Sequence, residues 1–135
     1  MGAWDATAFG NDSAMDWVAL LEDEGTAAIT NALTTAAEAD EYLEGPEGEE
    51  AVAAAEVVAA TVDQSAAELP TAVKTWIKDN PSALSADTVP LALQALDRVS
   101  GKDSELHELW VEDADDPEWA ASINDLKRRL EQARS

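Results

Sequence analysis

At 135 residues with no cysteine, the chain has the length of one domain and holds neither disulfide nor thiolate chemistry. Its composition is 46% hydrophobic, mostly Ala with Leu and Val behind it, and only 5% aromatic, which favours helices over strands. Acids outnumber bases 29 to 8 and no Lys or Arg precedes Lys74, so such a surface repels nucleic-acid phosphates and anionic membranes.

The stretch from Gly2 to Gly10 has no sustained period and reads as an irregular arm. It carries Trp4 and Phe9, and with Trp17 the first seventeen residues hold three of the seven aromatics. Burying rings of roughly 150–250 Å² each would hold such an arm down. We therefore expect a structural clip that closes the core, built from Trp4, Phe9 and Trp17 with Trp110 and Trp119 from the far end of the chain. The competing reading is a small anion or metal pocket formed by Asp5, Asn11, Asp12 and Asp16.

Asn11-Asp12 offers N-cap side chains for a first helix over about 12–23, with Met15, Val18 and Leu21 at spacing three. Gly25 stops it, and a second helix is expected from Thr26 to about Leu43. Gly45-Pro46 is expected to end that helix, with Gly48 extending the break. A third helix, Glu49 to about Ser65, has a face of small residues: Ala51, Ala54, Ala55, Val58 and Val62. Small faces permit close approach, which places this helix centrally. Glu56 sits among its alanines; burial is one reading, and the plainer one puts it on the solvent side.

Leu69-Pro70 opens a fourth helix running to about Asn80, with Val73, Trp76 and Ile77 facing inward, and Asn80-Pro81 ends it. Residues 85–88 supply caps for a fifth helix whose first turn holds Pro90 and whose stripe is Leu93, Leu96 and Val99. A short sixth helix spans Ser104 to Val111. Asp116 caps and Pro117 opens a seventh, running to about Ala133, with Trp119, Ile123, Leu126 and Leu130 at i, i+4, i+7 and i+11. The expected architecture is all-α: a single domain over 1–135 of six to seven helices, the third and seventh at its centre.

Two sets of residues resemble a known family. Gly2-x-Trp4-x-x-x-x-Phe9-x-Asn11-Asp12-x-Ala14-x-Asp16-Trp17 resembles the opening of the DUF4259 family of small bacterial proteins. Ser104-Glu105-Leu106 with Leu109-Trp110, then Trp119 and Asp125-Leu126-x-x-Arg129-Leu130, resembles its C-terminal part. The resemblance spans most of the chain and implies no activity, cofactor or ligand.

Chemistry-bearing patterns fail on inspection. His107-Glu108 begins like a zinc-protease helix, but the second His would stand at position 111, which is Val. Ser104 stands where a ferritin-type Glu-x-x-His pair needs Glu. Counting a calcium loop from Asp113 puts Pro117 at position 5, Glu118 at 6 and Asn124 at 12, and none of these fits. No Gly-rich phosphate loop exists. No catalytic, cofactor or metal residues are assigned, and His107 is expected at the surface or rim.

The leading functional expectation is a non-catalytic acidic protein that binds a basic protein partner in an adaptor-, antitoxin- or immunity-like role, with neither nucleic acid nor membrane as partner. Two alternatives stand beside it. The acidity is salt adaptation with no charged partner, or the chain is a small metal-dependent enzyme with a site near Asp12 and Asp16. Without a basic n-region, an apolar h-region or an 18-residue apolar run, a cytoplasmic location is expected.

Overall fold

The helices are arranged around one long element rich in alanine. The computed structural model describes residues 12–39, 41–63, 71–80, 87–101, 103–109 and 117–134. These form seven helices: α1 (Asp12–Glu24), α2 (Thr26–Ala37), α3 (Gly45–Asp63), α4 (Thr71–Asp79), α5 (Thr88–Ser100), the short turn α6 (Glu105–His107) and α7 (Pro117–Arg134). The chain is all-α, as its composition predicts.

Every residue from Ala51 to Ala60 of α3 is buried, so this helix has no solvent side along its middle. Its alanines make that possible, because small side chains let neighbours approach from all directions. α1, α2, α4, α5, α6 and α7 all pack on it. The expected partner at the centre, α7, touches only α3 and α5 among the described elements, while α5 packs on α2, α3, α6 and α7. The second central helix is therefore α5 rather than α7. Its buried Val89, Ala92, Leu93, Ala95, Leu96 and Val99 cover more than one side, whereas α7 offers a single stripe of Trp119, Ile123, Leu126 and Leu130.

Gly25 joins α1 to α2 at φ +64°, a left-handed conformation that glycine adopts without a Cβ clash. Its N–H donates to the Leu21 carbonyl at 2.8 Å. Across this turn the indole Nε1 of buried Trp17 donates to the Ala28 carbonyl at 3.2 Å, which satisfies the ring's one polar atom.

α2 ends at Ala37, well short of the expected Leu43. Glu38 closes it with its N–H on the Thr34 carbonyl. The segment beyond Glu38 is held from α5. Arg98 donates from Nε to the Ala39 carbonyl at 3.1 Å, from Nη1 to the Asp103 carbonyl at 3.2 Å, and from Nη2 to the Glu41 carbonyl. Leu43 then pairs in parallel with Ser104: its N–H donates to the Asp103 carbonyl at 2.7 Å and its carbonyl accepts from the Glu105 N–H at 2.9 Å. These bonds to distant residues outweigh local helix propensity.

Gly45-Pro46 also acts differently from expectation. It opens α3 rather than closing α2, with Pro46 in the first turn where a missing N–H costs little. Glu105 Oε1 accepts the Gly45 N–H at 2.8 Å, capping α3 from α6. Gly48 lies inside the helix because a Cβ there would sit 3.0 Å from Leu106 Cδ1. Glycine at 48 thus marks a close approach of α6, not a break.

Candidate functional site

A buried ion pair crosses from α3 to α7. Glu56 and Arg129 are 5% and 8% exposed, and they meet in a two-pronged geometry: Nη1 to Oε1 at 2.7 Å and Nη2 to Oε2 at 3.0 Å. The parallel fork matches guanidinium to carboxylate and uses both oxygens. Asp125, one turn back on α7, accepts from Arg129 Nε at 3.1 Å. The Glu56 hydrogen bonds raise the Arg129 guanidinium further above its ordinary value, against desolvation by burial. Arg128 holds the Asp125 carboxyl below its usual range by a hydrogen bond, opposed by desolvation and aided by the charges of Arg129 and Arg128. The solvent-side reading of Glu56 is thus corrected. Its cation stands 73 residues further along the chain, and no local pattern shows it.

This arrangement has no feature of a reactive centre. Both members of the pair are satisfied and enclosed, so it serves the α3–α7 contact.

The acidic surface is the other charged feature. Asp16, Glu22, Asp23 and Glu24 line the exposed side of α1, and Glu47 is exposed at the start of α3. Glu50, partly buried on the next turn of α3, has its carboxyl raised, first by desolvation and then by the charges of Glu47 and Asp16. Negative charge on α1 is therefore felt on α3. No ion pair between described residues involves α1. Four of the bases are used elsewhere, while Lys74 and Lys78 are exposed on α4, which packs on α1. Lys127 bonds Asp97 at 3.0 Å and Ser100 Oγ at 3.1 Å, and Arg128 bonds Asp125. Arg98 holds the carbonyls after α2, and Arg129 holds Glu56.

Of the residues considered for an anion or metal pocket, Asp5 and Asn11 lie outside the described residues. Asp12 begins α1, and Asp16 is exposed on it. Among the described residues no group of three or more His, Asp or Glu is placed to hold a metal ion. Of the aromatic clip, Trp4, Phe9 and Trp110 lie outside the described residues. Trp17 and Trp119 are both buried, on α1 and α7, which meet α3 without packing on each other. His107 is half-buried on α6.

The tie between residues 42–45 and 104–108 is a feature that sequence reasoning missed. Besides the backbone pairing, the Tyr42 hydroxyl donates to Glu108 Oε1 at 2.8 Å. The Ser104 hydroxyl is fully buried and finds no hydrogen-bond partner. No helix of the described residues is long and apolar enough to cross a membrane.

A family model described as "Domain of unknown function (DUF4259)" matches residues 2–122. No curated protein and no solved structure matches the chain.

Proposed function

We propose that this chain, which belongs to the DUF4259 family, is a non-catalytic interaction protein whose acidic first half engages a basic protein partner, in an adaptor-, antitoxin- or immunity-like role. One observation carries the reading: the first half of the chain holds no Lys or Arg, and among the described residues no ion pair involves α1. Residues 1–73 hold 16 acids and no base; Arg98 is tied to backbone carbonyls, Lys127 and Arg128 to acids of the second half and Arg129 to Glu56 and Asp125, while Lys74 and Lys78 are exposed on α4. The Glu50 carboxyl is raised first by burial and then by the charges of Glu47 and Asp16, and the latter part supports the reading. A basic partner would supply the missing cations and gain from long-range attraction.

Carbodiimide crosslinking in native extract tests this, because the reagent joins carboxylates to amines on contact. A basic protein joined through residues 1–73 at low salt and lost as salt rises is the expected product. Recovery of no basic protein at either salt would sink the reading.

A second reading draws on a different observation. Exposed acids also stand on α5, α6 and α7, at Asp97, Glu105 and Glu131, so the acidity coats several elements. Salt adaptation with no charged partner would produce such a coat. Thermal melts in KCl separate the two. Screening of exposed charge reaches ~3 Å at 1 M salt, so a gain in Tm that levels off near there reflects ordinary repulsion. A gain continuing through several molar KCl favours salt adaptation.

A further inference from the structure

We propose that the outward face of α1 is the docking surface for a basic, amphipathic helical segment of another protein, an inference that rests on the acidic-interaction reading. Ala14, Trp17, Val18 and Leu21 turn α1 into the core. At 3.6 residues per turn the opposite side runs Asp16, Ala19, Asp23, at i, i+3 and i+7. Met15 lies on one shoulder of that ridge and Leu20 on the other.

Their exposure distinguishes this face. Among the described residues only three large apolar side chains are exposed, and two of them are Met15 at 38% and Leu20 at 43%. Either alone would be unremarked on a protein surface. Together they bracket a row of carboxylates with a small residue, Ala19, at its middle. No ion pair between described residues reaches α1, although α4, which packs on it, carries the exposed Lys74 and Lys78. The negative field continues onto Glu47 and Glu50 of α3.

Charge complementarity selects the occupant. A lysine-only chain would meet the carboxylates but leave both shoulders wet. A second copy of this protein would bring the same acids against these. An incoming helix with Lys or Arg along its centre and apolar residues beside them satisfies ridge and shoulders at once, as apolar anchors do for a helix laid on a groove. Methionine suits such a surface because its flexible thioether adapts to varied side chains.

The test uses the full chain and two synthetic peptides of equal positive charge and about four helical turns. One alternates leucine and lysine in helical register, and the other carries lysine without leucine. Affinity is measured at about 0.15 M salt. The wild type should bind the leucine–lysine peptide more tightly than the lysine peptide. The double variant Met15→Gln, Leu20→Gln, which keeps the net charge and suits a helix, should lose about tenfold for the leucine–lysine peptide. Its affinity for the lysine peptide should not change, and its melting curve should match wild type. Equal binding of the leucine–lysine peptide by variant and wild type overturns the α1 surface while leaving the acidic reading intact. Binding of neither peptide overturns both. A wild-type dimer that the double variant dissolves assigns the face to a second copy and overturns the proposal.

Discussion

Glu50 and Glu56 lie on the same helix, less than two turns apart, and live in opposite electrostatic worlds. Glu50 is partly buried beside Glu47 and Asp16, and its carboxyl is raised. Glu56 is almost wholly enclosed, yet both of its oxygens are bonded by Arg129. Burial alone would penalise Glu56 more. The difference is the cation, and the cation comes from α7. Burial raises the Glu50 carboxyl first and its acidic neighbours raise it further, whereas at the deeper Glu56 the fold brings Arg129 to both oxygens.

The largest test of this contrast removes the cation. Arg129→Ala leaves Glu56 buried and unpaired, which should cost about 3–5 kcal/mol in urea unfolding. The double variant Glu56→Leu, Arg129→Met removes both charges and keeps the volume. It should be as stable as wild type or more stable by about 1–4 kcal/mol, because two desolvated ions are replaced by packed apolar groups. A double variant as damaged as the single one would mean that the pair does more than neutralise itself.

A smaller effect is expected at the acidic end. Glu50→Gln removes a carboxylate that burial and its acidic neighbours disfavour, so it should stabilise the protein at pH 7, by at most about 1 kcal/mol. The sign with pH comes from the raised carboxyl. Protonation favours the fold at this site, so the group's stabilising contribution is fully present below its unfolded value near 4.5 and is lost as pH rises through the higher folded value. The advantage of Glu50→Gln should therefore shrink as pH falls through that window. Paired denaturation curves at pH 7 and pH 4 measure it, and an advantage that grows on acidification would contradict the assignment.

The smallest effect belongs to Asp125, whose carboxyl is lowered mainly by the Arg128 hydrogen bond. Its contribution is present above the unfolded value of 3.8 and is lost as pH falls through the depressed folded value. The side chain is 46% exposed, so Asp125→Asn should cost no more than about 0.5 kcal/mol at neutral pH. A loss comparable to that of Arg129→Ala would make Asp125 a full member of the buried pair.

The same contrast explains which parts of the fold were legible in the sequence. The stripe Trp119, Ile123, Leu126, Leu130 placed α7 within a residue of its observed ends, since period and caps are local. The placement of Pro90 in the first turn of α5 was legible for the same reason. The end of α2 was not, because Arg98, 59 residues beyond Ala39, draws the chain out of a helix its composition favours. Gly45-Pro46 carries turn chemistry, and only the Glu105 cap tells that it begins a helix. At the candidate surface, the lack of bases before Lys74 was plain from the sequence. The two exposed apolar shoulders were not, since Met15 shares its spacing with Val18 and Leu21, which are buried.

The parallel pairing of Leu43 with Ser104 has a consequence for the order in which the molecule assembles. Its bonds join residues about 60 positions apart, and closing a loop of that length costs ~3–4 kcal/mol of chain entropy before any contact rewards it. Two backbone bonds do not repay that by themselves. The junction is therefore expected to form after α2, α3 and α5 have met, whereas the Trp17–Ala28 bond across the Gly25 turn closes a far shorter loop. The link between the two halves is the keystone of this arch, set in place when its sides already stand.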